Sequence, residues 1–183
     1  MRKEIKLAGF GGQGIILMGV LLAKAAGYYE DQEIAQTQSY GPEARGGACR
    51  AEVVISDETI DYTKTLNPDI LIAMSQLALD TYINEVDPET TSVFVDETLV
   101  EKAPASIAHL YRIPATTLAE EKCGTKMVAN TVMLTAMVKM TEVISVEALQ
   151  SAITEQLALK MRDVNLIAFE TALEYCRNRG SST

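Results

Sequence analysis

The chain has 183 residues, a length that fits one domain, and 48% of them are apolar, enough for a real core. A formal charge of −9, a sequence pI near 4.7, no Trp and only 5% aromatics exclude a basic, base-stacking surface, so no nucleic acid is expected as a partner. Cys49, Cys123 and Cys176 lie far apart with no C-x-x-C pair, which suits a reduced, cytoplasmic setting and gives this chain no metal or iron–sulfur site of its own.

Arg2 and Lys3 before an apolar stretch imitate a signal peptide, but Glu4 and the glycine cluster that follows argue against export. No run approaches the roughly 18 uninterrupted apolar residues of a membrane helix, so no membrane partner is expected either. Glu4 to Ala8 reads as a short strand feeding Gly9. Ile15 to Ala26 carries one charge, Lys24, and reads as a helix buried on most sides, with Gly27 as its stop. Glu33 to Thr37 is a second strand, followed by the loop "SYGPEARGG". Ala51 to Ile55 is a β-branched strand, and Thr59 to Tyr62 is expected to pair back on it as a hairpin across Ser56-Asp57-Glu58. Asp69 to Met74 and Thr91 to Val95 are apolar strands separated by a helix from about Gln76 to Asn84. Acidic residues from Glu85 to Glu101 read as a solvated face, and Ile107 to Ile113 as a further strand closed by Pro114.

Beyond Pro114 the pattern becomes helical. Lys126 to Lys139 has Met127, Thr131, Leu134 and Val138 on one face, and Met127, Met133, Met137 and Met140 read as packing residues. Val146 to Leu157 is a helix with Ser145 as N-cap, and Arg162 to Arg177 is another, ending near Gly180. The only histidine, His109, and the lone Cys49 read as structural residues. Strands alternating with helices, then a helical tail, indicate one α/β domain over residues 1–183 with a mostly parallel sheet, a β-hairpin and a helical C-terminal part.

Gly9-x-Gly11-x-x-Gly14 has the spacing and context of a dinucleotide-binding turn, a strand before it and a helix after it. Without a Cβ, the backbone lets a phosphate approach, and the first N–H groups of the helix face the anion. The fingerprint also expects an acidic residue about 20 positions on, at the end of the second strand, to hold a ribose. Here that region reads Ala35-Gln36-Thr37-Gln38-Ser39. A stand-alone nicotinamide enzyme therefore fits poorly. In the next loop, Arg45 offers a planar fork for phosphate or carboxylate and Tyr40 a flat face with a hydroxyl. A solvated surface turn is the alternative.

"GFGGQGI", "QSYGPEARGG" and "VVISDETIDY", with the later "KMVANTVML" and "VNLIAFE", resemble the gamma subunit of 2-oxoacid:ferredoxin oxidoreductases over nearly the whole chain. "YGPEARGG" is closer to the 2-oxoglutarate-acting branch. The resemblance implies a Rossmann-like domain within a multi-subunit complex. Such enzymes cleave a 2-oxoacid on thiamine diphosphate, pass electrons through iron–sulfur clusters to ferredoxin and give the acyl group to coenzyme A. Thiamine diphosphate and the clusters are then expected on alpha, beta and ferredoxin-like delta subunits. The gamma subunit is expected to be non-catalytic by itself and to help bind coenzyme A. On that footing the candidate binding residues are Gly11, Gly12, Gln13 and Gly14 for the pyrophosphate and Arg45 for the 3′-phosphate. Ser39, Tyr40, Gly46, Gly47 and Asn130 complete the set. The alternative use of the same loops is contact with the alpha or beta subunit.

Overall fold

Alternation in the first strand sets the architecture. In β1 (Arg2–Gly9), Ile5 and Leu7 point to one face of a sheet while Lys6 and Ala8 point to the other, and all four are buried. The structure, a computed structural model, describes residues 1–39 and 48–180. β1 leads through residues 10–14 into α1 (Ile15–Lys24), which runs on as a wider π-type turn (Ala25–Tyr29). β2 (Glu33–Ser39) and β3 (Cys49–Ser56) follow, then β4 (Ile70–Ala73), α2 (Gln76–Tyr82), a 3₁₀ turn (Ile83–Glu85) and β5 (Ser92–Asp96). The remainder is β6 (His109–Ile113), α3 (Ala115–Cys123), a 3₁₀ turn (Lys126–Val128), α4 (Ala129–Thr141), α5 (Val146–Gln156) and α6 (Leu159–Gly180).

The six strands form one sheet in the order β2-β3-β1-β4-β5-β6. β1, β4, β5 and β6 pair in parallel, while β3 is antiparallel to both β1 and β2. Five strands thus point the same way and only β3 runs against them, which gives the expected mostly parallel, Rossmann-like α/β sheet. One face buries Ile5, Leu7, Val53, Ile55 and Ile72 beneath α1, α3, α4, α5 and α6. The other buries Ala8, Leu71, Ala73, Val93 and Val95 beneath α2 and the chain around Val100 and Ile107.

α4 is buried at every position from Ala129 to Val138, packed between α1, α3, α5 and α6, so it carries no polar stripe. α5 begins as the sequence indicates, with the Ser145 hydroxyl accepting from the Ala148 N–H at 3.2 Å.

Several expectations need correction. Thr59 to Tyr62 is not a strand: β3 already has β1 on one edge and β2 on the other, so no edge is left for a third. The hairpin of the fold is β2–β3 instead. Gly27 does not stop α1, because the helical path continues to Tyr29 and turns at Asp31, whose φ is +55°. Met127 is 71% exposed rather than packed with Thr131, Leu134 and Val138. The stretch from Glu85 to Glu101 is not uniformly solvated. Asp96 is fully buried, and Glu85 pairs with the buried Lys6. α3 is a helix that the sequence pattern did not suggest. No helix among the described residues is long and apolar enough to cross a membrane.

Candidate functional site at the glycine turn

The parallel strands end along one row of the sheet, in which Ser39, Arg50, Ala8, Ala73, Val95 and Arg112 are neighbours in register. In open α/β sheets ligands bind beyond this end, where the chain turns from strand to helix. The glycine turn follows Ala8 directly, and Ser39 is two strands away on the same row.

The glycines of the turn are needed for different reasons. A Cβ on Gly9 would lie 2.6 Å from Gln13 Oε1 and 2.7 Å from Ile15 Cδ1, so Gly9 allows the strand and helix to close on each other. A Cβ on Gly11 would meet nothing within 4 Å, so its backbone faces open space. Gly12 has open space too but takes a φ of +91°. Gly14 is the N-cap of α1 in the left-handed conformation, φ 73° and ψ 24°. No side chain caps α1 there, and its first hydrogen bond is from Met18 N–H to the Gly14 carbonyl at 3.0 Å. The N–H groups of the first turn are therefore left for an anion or for water.

Gln13 is occupied within the turn. Its Oε1 accepts from the Phe10 N–H at 2.6 Å and its Nε2 donates to the Met74 carbonyl at 2.9 Å. It ties the loop to the end of β4 and keeps the loop's shape. Asn130, 116 residues further on, lies under the turn from the first turn of α4, only 3% exposed. Its Nδ2 donates to the Gly14 carbonyl at 3.3 Å, while its Oδ1 is buried with no protein partner. The bond to Gly14 fixes the amide so that the oxygen is the unpaired atom. The structure thus brings Gly11, Gly12, Gln13, Gly14 and Asn130 together and sets Ser39 at the same end of the sheet. Tyr40, Arg45, Gly46 and Gly47 lie outside the described residues.

A cleft of about 320 Å³ opens beside the turn, lined by Gly12, Gln13, Met74, Thr98, Thr116 and Met127 among others. Fully buried behind that lining, Asp96 holds Thr98 and Thr116 in place. The carboxylate accepts from the Thr98 N–H at 3.1 Å, the Thr116 N–H at 3.2 Å and the Thr116 hydroxyl at 2.5 Å. It thereby caps α3 from β5, where Pro114 offers no side-chain cap. Lys126 stands at the mouth, 3.4 Å from Glu120 in an exposed pair. Sequence reasoning missed this lining. Its only signal was a threonine two or three residues beyond a strand end, Thr98 after Asp96 and Thr116 after Ile113, too common a pattern to single out.

Cys49 stands opposite Gly9 in register but is buried, and burial pushes its thiol pKa up, so it is a neutral packed thiol at physiological pH. Burial also raises the thiols of Cys123 and Cys176. His109 is not packed: it is exposed on the edge strand β6. Among the described residues no three His, Cys, Asp or Glu side chains come together as a metal site.

Residues 4–175 match the model of the pyruvate ferredoxin/flavodoxin oxidoreductase family. The chain is 48% identical to the 2-oxoglutarate synthase subunit KorC of Methanocaldococcus jannaschii, over 97% of this chain and 95% of that one. It is also 48% identical to KorC of Methanothermobacter marburgensis, over 95% of this chain and 96% of the relative. Among solved structures, the gamma subunit of a keto/oxoacid ferredoxin oxidoreductase from Geobacter sulfurreducens aligns with a TM-score of 0.79 and 38% identity, covering 94% of this chain and 99% of that one. A 2-oxoglutarate:ferredoxin oxidoreductase from Magnetococcus marinus, with 2-oxoglutarate, coenzyme A and succinyl-CoA bound, shares the fold at a TM-score of 0.79 and 23% identity. It covers 97% of this chain and 31% of the longer one. With a family match over most of its length and relatives at nearly half identity end to end, the chain belongs to the pyruvate ferredoxin/flavodoxin oxidoreductase family, among its gamma-type chains.

Proposed function

We propose that this chain is the gamma subunit of a 2-oxoglutarate:ferredoxin oxidoreductase and contributes part of the coenzyme A site. The reading rests on the end-to-end similarity to KorC subunits together with an intact, open glycine turn at the N-terminus of α1. In the complex, 2-oxoglutarate loses carbon dioxide, two electrons pass to ferredoxin, and the remaining acyl group forms a thioester with the coenzyme A thiol. Thiamine diphosphate, which carries the decarboxylation when bound, and the iron–sulfur clusters belong to the alpha, beta and ferredoxin-like delta subunits. The described residues of this chain bring no set of metal-ligating side chains together.

Its own residues bind and orient. The Gly11 and Gly12 backbone and the first N–H groups of α1 receive the pyrophosphate, and Arg45 pairs the 3′-phosphate. Gln13 and Asn130 act through the turn, holding its backbone in place rather than touching phosphate. A nicotinamide dinucleotide fits less well. The end of β2 reads Thr37-Gln38-Ser39 and presents no carboxylate to a ribose. The assembled subunit works in a soluble complex in the cytoplasm.

Gly11→Val tests this reading, because the added side chain enters open space and leaves the fold alone. In the complex purified without oxygen, Gly11→Val and Arg45→Ala raise the KM for coenzyme A while the KM for 2-oxoglutarate is unchanged. If both variants retain the wild-type coenzyme A dependence, the turn and the following loop serve subunit contact only, and the ligand role is wrong.

A further inference from the structure

The two edges of the sheet are finished differently. At β6, the Arg112 carbonyl accepts from Arg179 at 2.9 Å, so α6 covers part of that edge. His109 is exposed on the same strand. This cover and the exposed polar group discourage strand addition. At the opposite edge, β2 presents seven residues, Glu-Ile-Ala-Gln-Thr-Gln-Ser, with no proline or lysine. Among the described residues its backbone pairs with β3 alone. A long, regular, nearly uncharged edge is a template for another strand.

We propose that β2 pairs antiparallel with β2 of a second copy of this chain, joining two six-stranded sheets across a two-fold axis at Gln36. The strand is self-complementary about that residue. The pairs are Gln36 with its own counterpart, Ala35 with Thr37, Ile34 with Gln38, and Glu33 with Ser39. Ala35 and Thr37 therefore meet on one face, flanked by Glu33 and Ser39, while Gln36, Ile34 and Gln38 meet on the other, and no like charges are opposed. The charge also complements. Ser39 is the register neighbour of Arg50 on β3, so the exposed Glu33 of one copy faces Arg50 of the other across a small serine. Two strand spacings, about 10 Å between backbones, lie within the combined reach of Glu and Arg side chains. Among the described residues Arg50 makes one loose ion pair, its Nε 3.9 Å from Glu52, and its guanidinium is free to reach further. The symmetry forms this pair twice.

Sedimentation equilibrium of the full chain, from micromolar to sub-millimolar concentration, should show a mass rising from 19.9 kDa towards twice that value. Glu33→Arg opposes two guanidinium groups and should weaken the dimer about tenfold, equivalent to about 1.4 kcal/mol over the two symmetric pairs. Glu33→Arg combined with Arg50→Glu should restore it. Gln36→Cys, placed on the axis, should give a disulfide-linked dimer under mild oxidation, within the Cα separations a disulfide spans. A chain that stays monomeric throughout overturns the proposal. A dimer indifferent to Glu33→Arg, or one in which Gln36→Cys never links, places the contact elsewhere and overturns it as well.

Discussion

Gly14→Ala should destabilise the chain far more than Gly12→Ala, although both glycines have positive φ. The backbone penalty is common to the two: holding alanine in a left-handed conformation costs about 1–2 kcal/mol. The surroundings differ. At Gly12 the new methyl meets nothing, whereas at Gly14 it would lie 2.3 Å from Asn130 Nδ2 and 2.9 Å from Asn130 Cγ. Asn130 is buried on a helix packed on all sides and cannot swing into solvent. Accommodating the methyl means overpacking, at about 1–3 kcal/mol, or losing the bond to the Gly14 carbonyl, at about 0.5–1.5 kcal/mol. The expected loss is therefore about 2–5 kcal/mol at Gly14 against about 1–2 at Gly12. Urea denaturation followed by far-ultraviolet circular dichroism measures both. A double-mutant cycle with Asn130→Ala then isolates the contact, because removing the amide gives the methyl room. The cycle should show favourable coupling of at least about 1 kcal/mol. Equal penalties at the two glycines, or a Gly14 penalty unchanged in the Asn130→Ala background, would refute the claim that Asn130 is what the turn closes against.

Lys6→Met should be strongly destabilising in the same urea assay, by about 3–5 kcal/mol, because it leaves the carboxylate of Glu52 buried without its ammonium partner at 3.2 Å. Acid should weaken the same region. Burial alone would raise the Glu52 pKa, but the Thr65 hydroxyl and Lys6 outweigh it and hold the carboxyl below its ordinary value. Stability from this group is therefore complete above the usual carboxylate pKa and lost as pH falls through the lowered one. Urea midpoints measured from pH 6 downward should decline in the wild type and decline less in Glu52→Gln. Ser145→Ala removes the cap on the Ala148 N–H and should cost about 1 kcal/mol, read as a lower midpoint with an unchanged denaturant slope.

What could be read from the sequence was what depends on near neighbours. β1, the turn at Gly9 to Gly14, the start of α1 and the Ser145 cap are set by residues within a few positions of one another, and each is found where the pattern puts it. What could not be read depends on distant partners. α3 begins with Ala-Thr-Thr, an unremarkable start, because its cap is Asp96 on β5. Lys6 alternates with apolar neighbours as if it faced water, yet it is 1% exposed. The chain from Asp57 to Leu66 folds over that face, where Thr65 bonds Glu52, the Leu66 N–H bonds Glu4, and Arg2 reaches the Tyr62 carbonyl. Thr59 to Tyr62, within this segment, has the sequence pattern of a hairpin strand. Its backbone at Tyr62 and Leu66 and the Thr65 hydroxyl instead bind side chains of β1 and β3, because both β3 edges were already filled. At the site, Gly9, Gly12 and Gly14 were legible because a close contact or a positive φ there resists a Cβ. The supporting role of Asp96 was not, since a carboxylate in an acidic stretch looks solvated until its donors are seen.

The arrangement also explains why a dinucleotide-type turn can persist here without a ribose-binding acid. The turn's own polar side chain, Gln13, is consumed in bracing Phe10 and Met74, and Asn130 supports Gly14 from below. What remains for a ligand is backbone: open glycines and the uncapped start of α1. Backbone donors recognise a phosphate but not the nucleotide that bears it. Selectivity must then come from outside the turn. In a nicotinamide enzyme the acidic residue at the end of the second strand supplies it, whereas here that strand ends in Thr37-Gln38-Ser39, leaving the turn neutral towards a ribose. On the function proposed above, coenzyme A is the ligand whose identity is read elsewhere, by Arg45 at its far phosphate and by partner subunits at its thiol. That proposal gives this chain only the middle of coenzyme A, and it predicts that the isolated chain binds coenzyme A far more weakly than the complex does, as calorimetric titration of the two would show.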